Sequence, residues 1–232
     1  MNDLVSELRK LSNPHKAETY KNFHKTDEGD YAHGEIFLGL TVPQLRTLAK
    51  KHHTLSLIEI DKLLNSRVHE EKYVAALILI YKYEDYSLEE KRKIAEFCLK
   101  NTKKFTGWDL VDSIAPSIIG NFLLDKDKSI LARLAKSDNL WEKRISIVST
   151  YSFIKKGEFN ETLQIAKILL NDKHDLIHKA CGWMLREVGK RDERVLEMFL
   201  KDNYSKLPRT TLRYAIERFS ENKREAYLKG KI

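Results

Sequence analysis

Proline and glycine are scarce in this chain, 4 and 9 among 232 residues. Sandwiches and barrels turn roughly every eight to twelve residues and rely on both for punctuation, so the low counts exclude most all-β architectures. Long apolar runs are missing too. The most apolar stretch, Val74 to Tyr81, falls far short of the ~20 residues that a membrane span needs. The N-terminal M-N-D-L-V-S-E-L-R-K lacks an uninterrupted apolar core and a small-residue cleavage site, so no signal peptide is expected. Cysteine occurs twice, as Cys98 and Cys181, each in apolar helical surroundings. Two buried free thiols in a cytoplasmic protein are expected rather than a disulfide. There is no G-x-x-x-x-G-K-[ST], no G-x-G-x-x-G after a strand and no G-x-S-x-G, which removes the common nucleotide-binding and serine-hydrolase signatures.

What is present is helical periodicity. Leu4, Val5, Leu8 and Leu11 form an apolar stripe at helical spacing over residues 2–12. Residues 15–24 read as a second helix, after which the chain loosens at K-T-D-E-G-D-Y-A-H-G. Thr41 then caps a helix with Pro43 in its first turn, and Thr54 or Ser56 caps another. Residues 69–83 predict a mostly buried helix, 87–100 an amphipathic one, and no stretch reads convincingly as a strand.

Charge is unevenly spread. Residues 1–100 hold 16 Lys+Arg and 16 Asp+Glu, while 101–232 hold 26 and 18, so the whole formal +8 lies in the second part. A basic surface for a polyanion fits this, as does a soluble lysine-rich helical protein.

Five segments superpose: K-Y-V-A-A from Lys72, W-D-L-V-D from Trp108, R-I-S-I-V from Arg144, K-A-C-G-W from Lys179 and R-Y-A-I-E from Arg213. Their starts lie 36, 36, 35 and 34 residues apart. Second helices fall between them at 87–100, 127–136, 160–170 and 191–200. A helix pair repeating at this length is the mark of an α-solenoid of the HEAT type, because no pair buries its apolar stripe alone. The expected fold is therefore all-α, a curved, C-shaped single domain over residues 1–232. First and fifth residues of a segment share a helix face. Stacking then brings Trp108, Asp112, Arg144, Lys179 and Trp183 onto one surface, where cations flank a carboxylate beside two tryptophans. Such a surface suits a phosphodiester with its sugar.

The stretch Phe105 to Pro116 is the centre of this pattern. Pro116 sits four residues after Asp112, and a helix-interior proline clashes with the carbonyl four residues earlier, so a continuous helix is expected to kink at Asp112. Each candidate also has a plainer reading. Trp108 and Trp183 can be core residues, Trp141 packs under Arg144, and Arg144 can pair with a neighbouring acid although its guanidinium fork suits phosphate. Asp112 can cap the kinked helix or simply pair with Arg144. His174 and His178 are spaced like zinc ligands on a helix, yet Asp175 stands where a glutamate is expected and no third ligand is near.

Three blocks resemble a known family: G-E-I-F-L-G-L-T-V-P at 34–43, W-D-L-V-D-S-I-A-P at 108–116, and W-E-K-R at 141–144 with G-W-M-L-R-E at 182–187. The chain resembles, over nearly its whole length, the bacterial DNA alkylation repair family of AlkD-like HEAT-repeat alkylpurine DNA glycosylases. The resemblance implies excision of N3- and N7-alkylated purines from double-stranded DNA by a monomer, without a base-flipping pocket. It implies that Asp112 is catalytic with Trp108 and Trp183 at the sugar-phosphate, that Arg144 holds a phosphate, and that no metal or organic cofactor takes part. The repeat register adds Lys179 to the DNA-binding set. Thr41 departs from the longer polar residue that some members place there to reach DNA. Two other readings stand beside this one: a relative that binds deformed duplex without excision, and a HEAT scaffold for protein partners.

Overall fold

The computed structural model describes residues 1–231. Their contacts divide into two compact units, Met1–Ile114 and Ala115–Ile232, each a stack of helices around its own core. The fold is an all-α repeat. Among the described residues, extended backbone pairs only at one bridge, between Ile36 and Val68.

The first unit contains α1 (Asn2–Lys10), α2 (Pro14–His24), α3 (Val42–Lys51), α4 (Leu57–Leu64), α5 (His69–Asp85), α6 (Leu88–Lys100) and α7 (Trp108–Ile114). Local chemistry starts most of them. Asn13 accepts from the Lys16 amide ahead of Pro14. Gln44 Oε1 accepts from the Thr41 amide and hydroxyl at the head of α3. Ser56 with Glu59 and Ser87 with Glu90 form capping boxes. α5 is the central element, with α1, α3, α4, α6 and α7 packed around it. That position explains its composition: Val74 to Ile80 are buried on every side, so the run is apolar all round rather than striped.

Residues 25–41 cross from α2 to α3 and are tied to the first turn of α5. The buried Glu70 carboxylate accepts from the amides of Leu38, Gly39 and Leu40 at 2.9, 2.8 and 3.3 Å. Backbone bonds at 2.9 Å join Ile36 to Arg67 and His69. This anchoring delivers Glu35 to α5.

The second unit opens with a π-helical segment, Ala115–Gly120. It continues through α8 (Ser129–Ala135), α9 (Leu140–Ser149), α10 (Tyr151–Ile154), α11 (Asn160–Leu169), α12 (Asp175–Gly189), α13 (Glu193–Asn203), α14 (Arg209–Ala215) and α15 (Glu221–Lys229). The irregularity expected at Asp112 falls just after it: α7 ends at Ile114, and the wider π turn holds Pro116, which has no amide to donate. α12 packs on α9, α11, α13 and α14. Gly182 permits its close approach to α14, since a Cβ there would lie 2.4 Å from Tyr214 Cβ and 2.7 Å from the Thr211 carbonyl.

The segment starts Lys72, Trp108, Arg144, Lys179 and Arg213 all lie in helices, namely α5, α7, α9, α12 and α14, and the intervening helices are α6, α8, α11 and α13. Among the described residues no helix is long and apolar enough to cross a membrane.

Candidate active site

α7 begins where Gly107 turns the chain with φ +128. Trp108 and Asp112 follow one turn apart, both half-buried. The Trp108 ring stacks on His24 from the last turn of α2, with centroids 5.3 Å apart and planes 13° from parallel. Phe23 meets the same indole edge-on at 5.5 Å and is itself 64% exposed. Tyr73 reaches towards α7, its hydroxyl 3.5 Å from Ser113 Oγ. Burial pushes the Tyr73 phenol up, and the Asp109 and Asp112 carboxylates nearby push it the same way. A cavity of about 290 Å³ opens beside these rings, walled by Phe23, His24, Phe37, Leu40, Tyr73 and Trp108 among others.

Behind Trp108 lies an ion cluster. His69, at the head of α5, bonds Glu35 Oε2 through Nδ1 at 2.9 Å and Asp109 Oδ2 through Nε2 at 2.8 Å. Lys72, one turn further on, pairs with the same Glu35 and donates to Thr106 Oγ1 at 2.6 Å. Burial alone would lower the His69 pKa; the Asp109 charge, with hydrogen bonds to Asp109 and Glu35, reverses that and raises it to about 9. His69 is therefore an imidazolium between two carboxylates. Burial works to raise the Glu35 carboxyl, but His69 and Lys72 outweigh it and hold it low. Asp109 is held low in the same way, burial being overcome chiefly by the His69 charge.

His24 behaves oppositely. Burial pushes its pKa down, and its buried Nδ1 has no hydrogen-bond partner. It is a neutral ring between Trp108 and His69, 4.7 Å from the latter. His24, His69 and Asp109 are, among the described residues, the one group with the donor types and proximity to hold a metal ion. Both nitrogens of His69 are already bonded to carboxylates, so a proton holds the place that a metal would take between His69 and Asp109.

Arg144, Lys179 and Trp183 belong to the second unit. Arg144 is 5% exposed and donates from Nη1 to the Leu176 carbonyl in the first turn of α12 at 2.6 Å. Lys179 pairs with Asp175 on its own helix at 2.7 Å. That hydrogen bond raises its pKa, against a push from the nearby Arg144. Trp183 is half-buried and meets Tyr151 with centroids 6.2 Å apart. Trp141 is buried, as its packing role required. His174 caps α12 through Nδ1, and His178 Nε2 bonds the Asp172 carbonyl, so both imidazoles are turned to backbone. Cys98 and Cys181 are free and buried.

Sequence reasoning did not single out Glu35, His69, Asp109 or His24. A usable signal was there. His69, Glu70 and Lys72 place three ionisable side chains at the start of the helix read as most buried, where each needs a partner. Nothing local named those partners: the carboxylates that His69 and Lys72 meet lie 34, 37 and 40 residues away, and the amides that Glu70 meets lie 30, 31 and 32 away.

A family model described as DNA alkylation repair enzyme matches residues 4–219. No curated protein matches the chain. Among solved structures, the chain is similar to a predicted DNA alkylation repair enzyme from Enterococcus faecalis, with a TM-score of 0.69 and 20% identity over 90% of this chain and 97% of that one. It is also similar to smu.31 from Streptococcus mutans UA159, with a TM-score of 0.53 and 15% identity over 94% and 98% of the two chains. At these identities the likeness is one of fold.

Proposed function

The chain belongs to the DNA alkylation repair enzyme family, and we propose that it is a DNA glycosylase that hydrolyses the N-glycosidic bond of N3- and N7-alkylated purines in duplex DNA. The observation that carries this reading is the pair on α7, an indole held by ring stacking and a carboxylate one turn away, both accessible. A purine alkylated at N3 or N7 carries positive charge, so its bond to C1′ is already weakened. As that bond breaks, its electron pair goes to the base, which departs neutral and needs no general acid. Positive charge moves to the sugar, where the Asp112 carboxylate stabilises it. Water adds to C1′ and gives up a proton to Asp112 or to solvent. The single carboxylate thus does the work that pairs of carboxylates share in glycosidases.

Trp108 and Trp183 are assigned to the sugar-phosphate, and Arg144 and Lys179 to phosphates. Arg144 suits the task because its guanidinium is anchored by the Leu176 carbonyl and so is pre-set in orientation. The base reacts in place, without being drawn into a pocket, and the protein works as a monomer in the cytoplasm.

The test is release of 7-methylguanine from methylated duplex DNA by the wild type beside Asp112→Asn. Release by the wild type, lowered on the order of a hundredfold or more in the variant with duplex binding retained, supports the assignment. Release by neither, with salt-sensitive duplex binding intact, returns the protein to a binder without chemistry. Absence of duplex binding leaves the scaffold reading.

A further inference from the structure

We propose that His69, bridged between Glu35 and Asp109, is a positioning residue for excision: it locks the first turn of α7 and so sets the Trp108–Asp112 pair on that helix. The proposal rests on the glycosylase reading and adds to it residues that act through the α7 pair rather than on the reacting atoms.

The geometry is specific. Asp109 is flanked in sequence by Trp108 and lies three residues before Asp112. One of its oxygens takes the His69 bond, and the other accepts from the Leu110 amide at 3.0 Å. Its carbonyl accepts from Ser113 Oγ at 2.8 Å. Asp109 is thereby held at side chain and backbone together, and the turn that carries Trp108 cannot rotate without breaking the His69 bond. His69 is fixed from its far side by Glu35, and Glu35 by Lys72 and Thr106. The side chain of His69 is 4% exposed and those of its two carboxylate partners 12% and 13%, so water offers little substitute for a lost bond. His24 completes the arrangement, since it stacks on Trp108 by one face and lies against His69.

Only the imidazolium can donate to both carboxylates at once. A neutral imidazole has one N–H and must release one of the two. The titratable groups around His69 are His24 from α2, Glu35 from the 25–41 crossing, Glu70, Lys72 and Tyr73 on α5, and Asp109 on α7. The lysine that could oppose its charge is already paired with Glu35, and the two carboxylates favour it. Positioning is therefore kept through neutral pH and lost as His69 deprotonates near 9.

The experiment measures single-turnover release of 7-methylguanine, at saturating enzyme and across pH, for the wild type, His69→Gln and Asp109→Asn, with duplex affinity and melting temperature alongside. Glutamine carries its donors on one nitrogen and an acceptor oxygen at the other end, so it cannot bridge the two carboxylates; release should fall roughly ten- to a hundredfold, the cost of a misplaced catalytic pair, with affinity changed by less than about twofold. The wild-type rate should decline as pH rises through about 9. Asp109→Asn keeps an acceptor for Nε2 but removes the charge, so its decline should move to clearly lower pH, and His69→Gln should show no such decline. A merely structural cluster would lower melting temperature yet leave rate and pH profile superimposed on the wild type, and that result overturns the proposal. Should His69→Gln fail to fold, the shifted or unshifted limb in Asp109→Asn decides alone. Release that is absent in the wild type sinks the glycosylase reading itself, and the positioning role with it.

Discussion

Asp109 and His69, 40 residues apart in sequence, meet at 2.8 Å between Oδ2 and Nε2. The contact joins the first turn of α5 to the first turn of α7, and α7 carries the residues assigned to chemistry. Buried ion pairs contribute little net stability when compared with well-packed apolar residues, because both charges lose their hydration. They are costly to break, however, and they restrict geometry. This pair with its Glu35 and Lys72 neighbours is best understood by what it orients.

The cluster makes stability depend on pH in a defined direction. His69 has a folded pKa raised from 6.5 to about 9, so its contribution is complete below about 6.5 and is lost as pH rises through about 9. Glu35 and Asp109 are held low; their contribution is present above the ordinary carboxylate range and lost on acidification. His24, lowered by burial, adds a further loss as pH falls below about 6.5. Melting temperature followed from pH 5 to 10 should therefore pass through a maximum, and His69→Gln should flatten the alkaline side. An unchanged alkaline side in that variant would show that His69 is not the group titrating.

Gly107→Ala should destabilise the protein by about 1–3 kcal/mol. The backbone at φ +128 is unfavourable for any side chain, and a Cβ there would lie 3.0 Å from Asp109 Oδ1 and 3.2 Å from His69 Cε1. Denaturant unfolding measures the loss. Because the added methyl presses on the ion pair itself, excision should suffer beyond the loss of folded protein; a variant as active per folded molecule as the wild type would contradict this.

Arg144→Ala should act on binding and on stability together. Loss of one phosphate contact should reduce the salt slope of duplex binding by about one. Loss of the charged donor in the part-buried hydrogen bond to the Leu176 carbonyl should cost about 1–3 kcal/mol. Duplex titrations at several salt concentrations, beside denaturant melts, separate the two. An unchanged slope with a clear stability loss would return Arg144 to a purely structural role.

Val42→Phe offers a check on whether the base stays in the helix. Val42 lines the cavity near Trp108 and is 39% exposed, so a larger ring can enter from the rim without disturbing the core. Release of 7-methylguanine should stay within about twofold if the base reacts in place. Abolished release with intact duplex binding would mean that the base enters the cavity.

The helices were legible in the sequence because their causes are local. Periodic leucines, the Thr41 and Pro43 start of α3, and the Ser56 cap of α4 act within a turn or two of chain. The repeat register was legible for a related reason: the segments starting at Lys72, Trp108, Arg144, Lys179 and Arg213 each fall within a helix, at near-constant spacing. The pairing of Trp108 with Asp112 followed from the helical period alone. Register is blind to what lies between repeats, however, and Glu35 sits in a crossing segment without periodicity. Sequence by itself determined an all-α repeat chain and an indole–carboxylate pair on one helix. Only the tertiary structure decided that Glu35, His69 and Asp109 form one hydrogen-bonded line behind that pair. Three burials had to coincide for it: α5 at the centre of the first unit, the crossing pinned by Glu70, and Gly107 leaving room at the head of α7. A buried charge must find its partner wherever the fold brings one, and sequence distance carries no trace of that meeting.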